Sequence, residues 1–398
     1  MVSLVDNDTD CTPLNTLVFP TREIASTWLY SKFETTLYFV IILVILVTGI
    51  VFNSLFVYMV AKLTKLHTTV NFYLVNLAVA DVAFLSITTI YYIGVLAYTP
   101  IKENIPFHGA VSCFFIFAIA MICYYTSLGT VILLSVERFF AICYPVKHRH
   151  MSNKKRTRKF LVAVWLISIG PAAFTTLRYS SNTKLCIKWP DEDIYESLPG
   201  TMHLCMTLIE GPIFNLTAPT VFVVAFFLPM FVIAIINSKI ALALKKRSHR
   251  RNDNILNHIK IRNQVTRTLL ILVTLFFVLQ TPSRSVSVVN LIAEVRRKRL
   301  WSVSFQHKFL IIGRILILIN SATNSLVYFA TSSHYRQCFM EAFRGRSSTT
   351  KSSKTKGNQI PTVPDNTSRG ATVIATSADA TVIGGVAPIN AITYDTKL

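Results

Sequence analysis

Apolar residues fall into seven long runs separated by polar breaks: Leu37 to Ala61, Val70 to Ala97, Ala110 to Ser135, Phe160 to Leu177, Leu216 to Leu244, Thr268 to Ile292 and Phe309 to Ala330. Most reach the ~20 residues that an α-helix needs to cross a hydrocarbon core of ~30 Å. Pro171, Pro229 and Pro282 fall inside the runs, where a membrane helix absorbs them as kinks. The pattern predicts an all-α membrane protein: a seven-transmembrane helix bundle over residues 37–330, preceded by an N-terminal tail at 1–36. Residues 1–36 carry Asp6, Asp8 and Asp10 and no leading apolar core, so the first span is expected to serve as the targeting signal. Beyond the seventh run, His334 to Phe343 alternates apolar and polar residues at helical spacing. This predicts a short amphipathic helix on the membrane surface within 331–346. Ser and Thr then make up 16 of the last 52 residues, without periodicity, so 347–398 reads as a disordered cytoplasmic tail and a kinase substrate.

Composition agrees with a membrane protein. Of the 398 residues 52% are hydrophobic and 15% are charged, against roughly 25% charged in soluble domains. A wholly disordered chain, a disulfide-dense toxin and an ordinary cytosolic enzyme are excluded. The charge balance is lopsided, with 40 Lys+Arg against 19 Asp+Glu. Joints 62–68, 144–159 and 245–267 hold 17 Lys+Arg, while joints 98–109, 178–215 and 293–308 hold 9. The positive-inside rule then predicts a multi-pass membrane chain with its N-terminus outside and C-terminus inside. Arg296-Arg297-Lys298-Arg299 runs against that trend, in an outer loop. The sequons at Asn7 and Asn215 fall outside and are glycosylation candidates, whereas the one at Asn366 falls inside. The basic stretches lie beside the spans, where they would meet anionic membrane lipids, and nothing supports nucleic-acid binding.

Polar groups inside a bilayer are costly and mark function or helix-packing contacts. Asn53, Asp81, Ser127, Asn320, Ser321 and Asn324 are all intramembrane. A carboxylate at Asp81 needs a proton or a cation, and converging oxygens could hold Na⁺ beside it. Glu137-Arg138-Phe139 ends the third run, Trp165 lies in the fourth, and Asn53, Asn76-Leu-Ala-Val-Ala-Asp81 and Asn324-Ser-Leu-Val-Tyr328 stand on the first, second and seventh. Cys113 precedes Arg138 by 25 residues. Over about residues 35–345 the chain resembles a rhodopsin-like (class A) G protein-coupled receptor, neuropeptide-receptor-like in its loops.

That resemblance implies a non-enzymatic receptor with no required cofactor and an allosteric Na⁺ pocket built on Asp81, Ser127, Asn320, Ser321 and Asn324. It implies G-protein coupling through Glu137, Arg138, Phe139 and Tyr328, with arrestin and receptor kinases meeting the tail. It also selects Cys113–Cys186 among three pairings open to the outer cysteines Cys11, Cys113, Cys186 and Cys205, leaving Cys11 and Cys205 to pair or stay free. The sequence departs from the family at Glu137-Arg138-Phe139 (usually Asp-Arg-Tyr), at Asn324-Ser325 (usually Asn-Pro), at Gln280 before Pro282 (usually Trp) and at Asn237 (usually Tyr). These departures point to an atypical receptor.

Ligand class follows partly by exclusion. The positions where amine receptors need Asp and retinal pigments need Lys hold Ala120 and Leu318. Tyr91, Tyr92, Tyr124, Gln280, Arg284 and Arg314 are the ligand-binding candidates. The two arginines are expected to clamp an anionic or carbonyl-rich group, or else to pair with Glu210 or Glu294. Asp191, Glu192, Asp193 and Glu196 form an acidic patch in a long outer loop, which suits a basic peptide. The sequence reading is therefore a receptor for an extracellular neuropeptide-like ligand that activates a heterotrimeric G protein. A small acidic metabolite is the alternative ligand. A seven-span transporter would show paired intramembrane charges or repeated halves, and the sequence shows neither. Cys338 is a palmitoylation candidate, and the terminal Thr396-Lys397-Leu398 resembles a PDZ-scaffold ligand.

Overall fold

The computed structural model describes residues 11–13, 15–102, 104–105, 110–151, 153–177, 181–206, 212–248, 256–296, 298 and 300–344. Asn7, Arg297, Arg299, Glu210 and the whole tail 347–398 lie outside the described residues, as do the side chains of Asn215 and Glu294. Among the described residues, seven helices are long and apolar enough to cross a membrane. They are α2 (Lys32–Lys62), α3 (Thr69–Tyr98), α4 (Ala110–Cys143), α6 (Lys154–Thr176), α8 (Pro212–Ser248), α9 (Leu256–Arg296) and α10 (Val303–Thr331). Shorter helices are α1 (Arg22–Thr27), α5 (Pro145–Met151), α7 (Asp193–Glu196) and α11 (Ser333–Phe343). The strands are β1 (Thr16–Val18), β2 (Ser181–Lys188) and β3 (Thr201–Met206).

Local sequence sets the helix starts. Ser31 accepts from the Glu34 amide while Glu34 returns a bond to the Ser31 amide, a reciprocal cap that fixes the first residue of α2. Thr68, Asn153 and Ser302 cap α3, α6 and α10 in the simpler way, through a side-chain oxygen. Pro171, Pro219, Pro229 and Pro282 all lie within helices, as the membrane setting permits. The long helix α4 packs against α3, α6 and α8, while α2 and α9 flank α10. At Gly313 an added Cβ would stand 2.9 Å from the Ser283 Cα, so α9 and α10 meet backbone to backbone there.

One end of the bundle carries a cap. β2 and β3 form an antiparallel hairpin, and β1 adds in parallel along β2, with Thr16 beside Cys186. Beneath it Phe19, Ala25, Ile101, Ile187, Tyr195 and Met202 bury one another in a core separate from that of the bundle. Trp189 stacks between Phe19 and Tyr195 at 5.1 and 5.7 Å.

The cap corrects one expectation. Cys113 is bonded to Cys205, and Cys186 to Cys11, with Cα separations of 5.6 and 5.7 Å. Register explains why the Cys113–Cys186 pairing fails. Cys205 stands opposite Asn182 and Cys186 opposite Thr201, four positions apart on one face of the hairpin, or about 13 Å at 3.3 Å per residue. The N-terminal strand lies against Cys186, leaving Cys205 for α4. Loop spacing alone carries no such information.

At the far end α11 docks beneath the bundle. Tyr335 donates to Asn71 at 2.9 Å, Lys62 donates to the Ala342 carbonyl at 2.6 Å, and Lys65 pairs with Glu341. The Glu341 hydrogen bond raises the Lys65 pKa above the usual lysine value. Cys338 lies on the buried face of this helix, and burial raises its thiol pKa, so the palmitoylation candidate is neither exposed nor readily ionised. Burial and the nearby Lys65 lower the His334 pKa.

Candidate functional site

Three polar regions run down the bundle axis from the cap. The first is an open cleft near the cap, lined by Tyr30, Tyr38, Tyr91, Tyr92 and Arg314 among aliphatic residues that include Ile42 and Leu318. Here α2, α3 and α10 converge. The Arg314 guanidinium lies 5.7 Å from the Tyr92 ring centre. Tyr91 and Tyr92 meet edge to face at 5.4 Å.

The other three ligand candidates lie in different surroundings. Arg284 of α9 is buried, with its guanidinium 4.4 Å from the Tyr124 ring centre, 4.2 Å from that of Phe222 and 5.6 Å from that of Phe226. Among the described residues its Nε has no hydrogen-bond partner, and neither has the Oε1 of buried Gln280, one turn away. The aromatic faces stabilise the cation. Arg284 and Arg314 thus keep separate company, one beside α4 and α8 and the other beside α2 and α3. Phe222, Phe226, Tyr30 and Tyr38 complete these surroundings, and no periodicity in the sequence singled them out from ordinary core aromatics.

The second region lies mid-bundle. Asp81 is fully buried and accepts hydrogen bonds from Ser127 at 3.0 Å and Asn324 at 2.6 Å. Among the described residues no Lys, Arg or His lies within 4 Å of it. Asn320 and Ser321 are buried one turn earlier on α10. Asn53 donates to the carbonyls of Gly49 and Ser321 at 2.8 and 3.2 Å and accepts from Ser325 at 2.7 Å. Asn76 donates to Thr130 at 2.8 Å and accepts from Trp165 at 2.9 Å, joining α3, α4 and α6. The polar residues singled out in the sequence converge as two networks, one around Asp81 and Asn53 and one around Asn76.

The third region is at the far end. Arg138 and Asn237 line one cleft with Ser135, Thr266 and Leu269, between α4, α8 and α9. Glu137 is bonded to His148 of α5 at 2.6 Å. Phe139 packs on Phe140 and Tyr144 at 5.7 and 5.6 Å. Tyr328 is buried against Phe56 at 5.0 Å, and its hydroxyl has no partner among the described residues. His148 escaped sequence reasoning because nothing in a basic joint marks the one imidazole that reaches a carboxylate eleven residues earlier.

The model of the 7 transmembrane receptor (rhodopsin family) matches residues 52–328. The chain belongs to the rhodopsin family of seven-transmembrane receptors. Human neuromedin-U receptor 1 is 27% identical over 320 residues, which cover 75% of this chain and 71% of that receptor. The chain is thus a non-enzymatic class A G protein-coupled receptor with an all-α seven-helix bundle. Its departures from the family acquire local meaning. Ser325 donates a hydrogen bond that Pro could not make, and Asn237 occupies the Arg138 cleft with a short amide in place of a phenol.

Proposed function

We propose that this receptor binds a neuropeptide-like ligand on the outer side of the plasma membrane and activates a heterotrimeric G protein on the inner side. The carrying observation is the similarity to neuromedin-U receptor 1 over three quarters of the chain. The site supports it: an open cleft and a caged arginine under a braced cap suit a ligand that makes several separated contacts. All four cysteines of the two disulfides lie in the cap and the adjoining first turn of α4. Such bonds persist in oxidising compartments, which supports an outer cap, an outer N-terminus and an inner C-terminus. The acidic patch 191–196 is exposed on this side, and Glu192 lies 3.9 Å from Arg22.

Ligand contacts would shift a population toward a receptor whose inner cleft admits the G protein. Glu137, Arg138, Phe139 and Tyr328 would meet or position it, and anionic lipid would face the basic joints. Arrestin, receptor kinases and a PDZ scaffold are the proposed partners of the tail, and Asn7 and Asn215 the proposed glycosylation sites. The buried Asp81 carboxylate, with no cationic side chain within 4 Å among the described residues, fits an allosteric Na⁺ pocket with Ser127, Asn320, Ser321 and Asn324 as oxygen donors. When bound there, the ion would neutralise the carboxylate.

A neuropeptide library applied to cells expressing the full chain, with calcium and cyclic AMP as readouts, tests this reading. At least one peptide should raise a G-protein signal that untransfected cells lack. A response confined to small carboxylic acids would overturn the peptide assignment in favour of the metabolite reading.

A further inference from the structure

Arg284 stands apart from the polar networks of the bundle. It is 3% exposed, and the side chains around it are shut in as tightly, with Tyr124 at 4%, Tyr125 at 5% and Gln280 at 1%. The rings of Tyr124, Phe222 and Phe226 bring α4 and α8 against its guanidinium. Among the described residues no carboxylate lies within 4 Å of it. Glu294 stands ten residues further along the same helix, about 15 Å at 1.5 Å per residue. The Asp81 carboxylate is committed to Ser127 and Asn324.

Unused hydrogen-bonding groups gather at the same place. Among the described residues the Arg284 Nε and the hydroxyls of Tyr124 and Tyr125 have no partner, and neither has the Oε1 of Gln280, one turn away on α9. Both hydroxyls lie within range of the Arg284 charge. Three donors therefore stand against one acceptor, around a full positive charge. An unpaired buried charge is costly, and aromatic faces offset only part of that cost. A water molecule could complete some of these hydrogen bonds but would leave the charge unbalanced. An anion would do both. The ring centres lie only 4.2 to 5.6 Å from the guanidinium, so that anion has to be small.

We propose that Arg284, Tyr124 and Tyr125 hold a halide, in practice chloride, which neutralises the buried guanidinium and fastens α9 to α4. At a physiological ionic strength of ~0.15 M, a site of millimolar affinity stays filled. The proposal is independent of the nature of the agonist.

The test uses purified full-length receptor in which sodium chloride replaces sodium gluconate stepwise. Na⁺ and ionic strength stay constant, so the Asp81 pocket sees no change. Chloride should raise the unfolding temperature along a saturating curve with a millimolar midpoint, and bromide should act in its place. Gluconate is too large for the cage and should not. Arg284→Gln should abolish the chloride dependence. Tyr124→Phe keeps the ring, removes the hydroxyl and should raise the half-saturating chloride concentration by about tenfold. That variant keeps the test decisive should Arg284→Gln fail to fold. Crystals soaked in bromide should show its anomalous scattering beside Arg284. Equal unfolding temperatures in chloride and gluconate, or a rise that never saturates, as a bulk salt effect would give, would overturn the proposal. So would a chloride response preserved in Arg284→Gln, a midpoint unchanged in Tyr124→Phe, or bromide found only elsewhere. Acetate acting as strongly as chloride would assign the cage to carboxylates and overturn the halide.

Discussion

Ser325 donates a hydrogen bond of 2.7 Å to the amide oxygen of Asn53, tying α10 to α2 at a point where both residues are fully buried. The rest of the Asn53 side chain is used as well, since its nitrogen serves two carbonyls. Ser325→Ala should leave a buried acceptor without its donor and cost about 1–3 kcal/mol of stability. Thermal unfolding of the purified receptor should show the loss, and Ser325→Thr should recover part of it. A Ser325→Ala receptor that unfolds at the wild-type temperature would mean the bond contributes nothing net.

Peptide mapping under non-reducing conditions should recover Cys11 with Cys186 and Cys113 with Cys205. The two bonds should also differ in consequence. Cys11→Ser with Cys186→Ser should free the N-terminal strand while the hairpin stays bound to α4. Cys113→Ser with Cys205→Ser should detach the hairpin from α4 and lower surface expression more. Recovery of a Cys113–Cys186 peptide from functional receptor would contradict the register described above.

Raising Na⁺ should weaken agonist binding if the Asp81 pocket takes that ion in the inactive state. Asp81→Asn should abolish the dependence, and Asn324→Ala, which removes the 2.6 Å bond to the carboxylate, should blunt it. Competition binding across a Na⁺ series, with K⁺ holding ionic strength constant, reads this directly. Sodium sensitivity preserved in Asp81→Asn would place the ion elsewhere.

Much of the bundle could be read in advance because its signals are local or additive. Each span is a run of apolar residues, and the intramembrane polar side chains have few places to go except toward one another. Asp81, Ser127 and Asn324 come together for that reason. The cap was hidden for the opposite one. Thr16, Leu17 and Val18 are too few to read as a strand, and they become one only because β2 offers an unpaired edge. Phe19 and Trp189, far apart in sequence, stack only once that edge is taken. The separate surroundings of Arg284 and Arg314 escaped notice because helical position gives depth and face, but not which neighbouring helix supplies the contact.

Arg284→Gln should weaken agonist potency by roughly ten- to a hundredfold, about 1–3 kcal/mol, as charge and aromatic contact are both lost. Arg284→Lys should recover only part, because a compact ammonium does not spread over Tyr124 and Phe222 as a planar guanidinium does. Concentration–response curves at matched surface expression decide the matter. Wild-type potency in Arg284→Gln would show that the cage stabilises the fold and plays no part in binding.

The two disulfides partition the polypeptide. Cys11–Cys186 closes a covalent loop containing α1 to α6, and Cys113–Cys205 closes a second that overlaps it. Helices α8, α9 and α10 belong to neither loop, and the main chain reaches them through a single exit past Met206. Half of the receptor is thus a circularised frame and half a pendant chain. A protease nick between α3 and α4 would leave the framed half in one covalent piece, while a single cut between α8 and α9 would divide the molecule in two. Arg284 and Arg314 ride on the pendant half and face aromatic partners on the framed half, apart from Phe222 and Phe226. A ligand seated between them would therefore pull on a joint that no covalent bond locks.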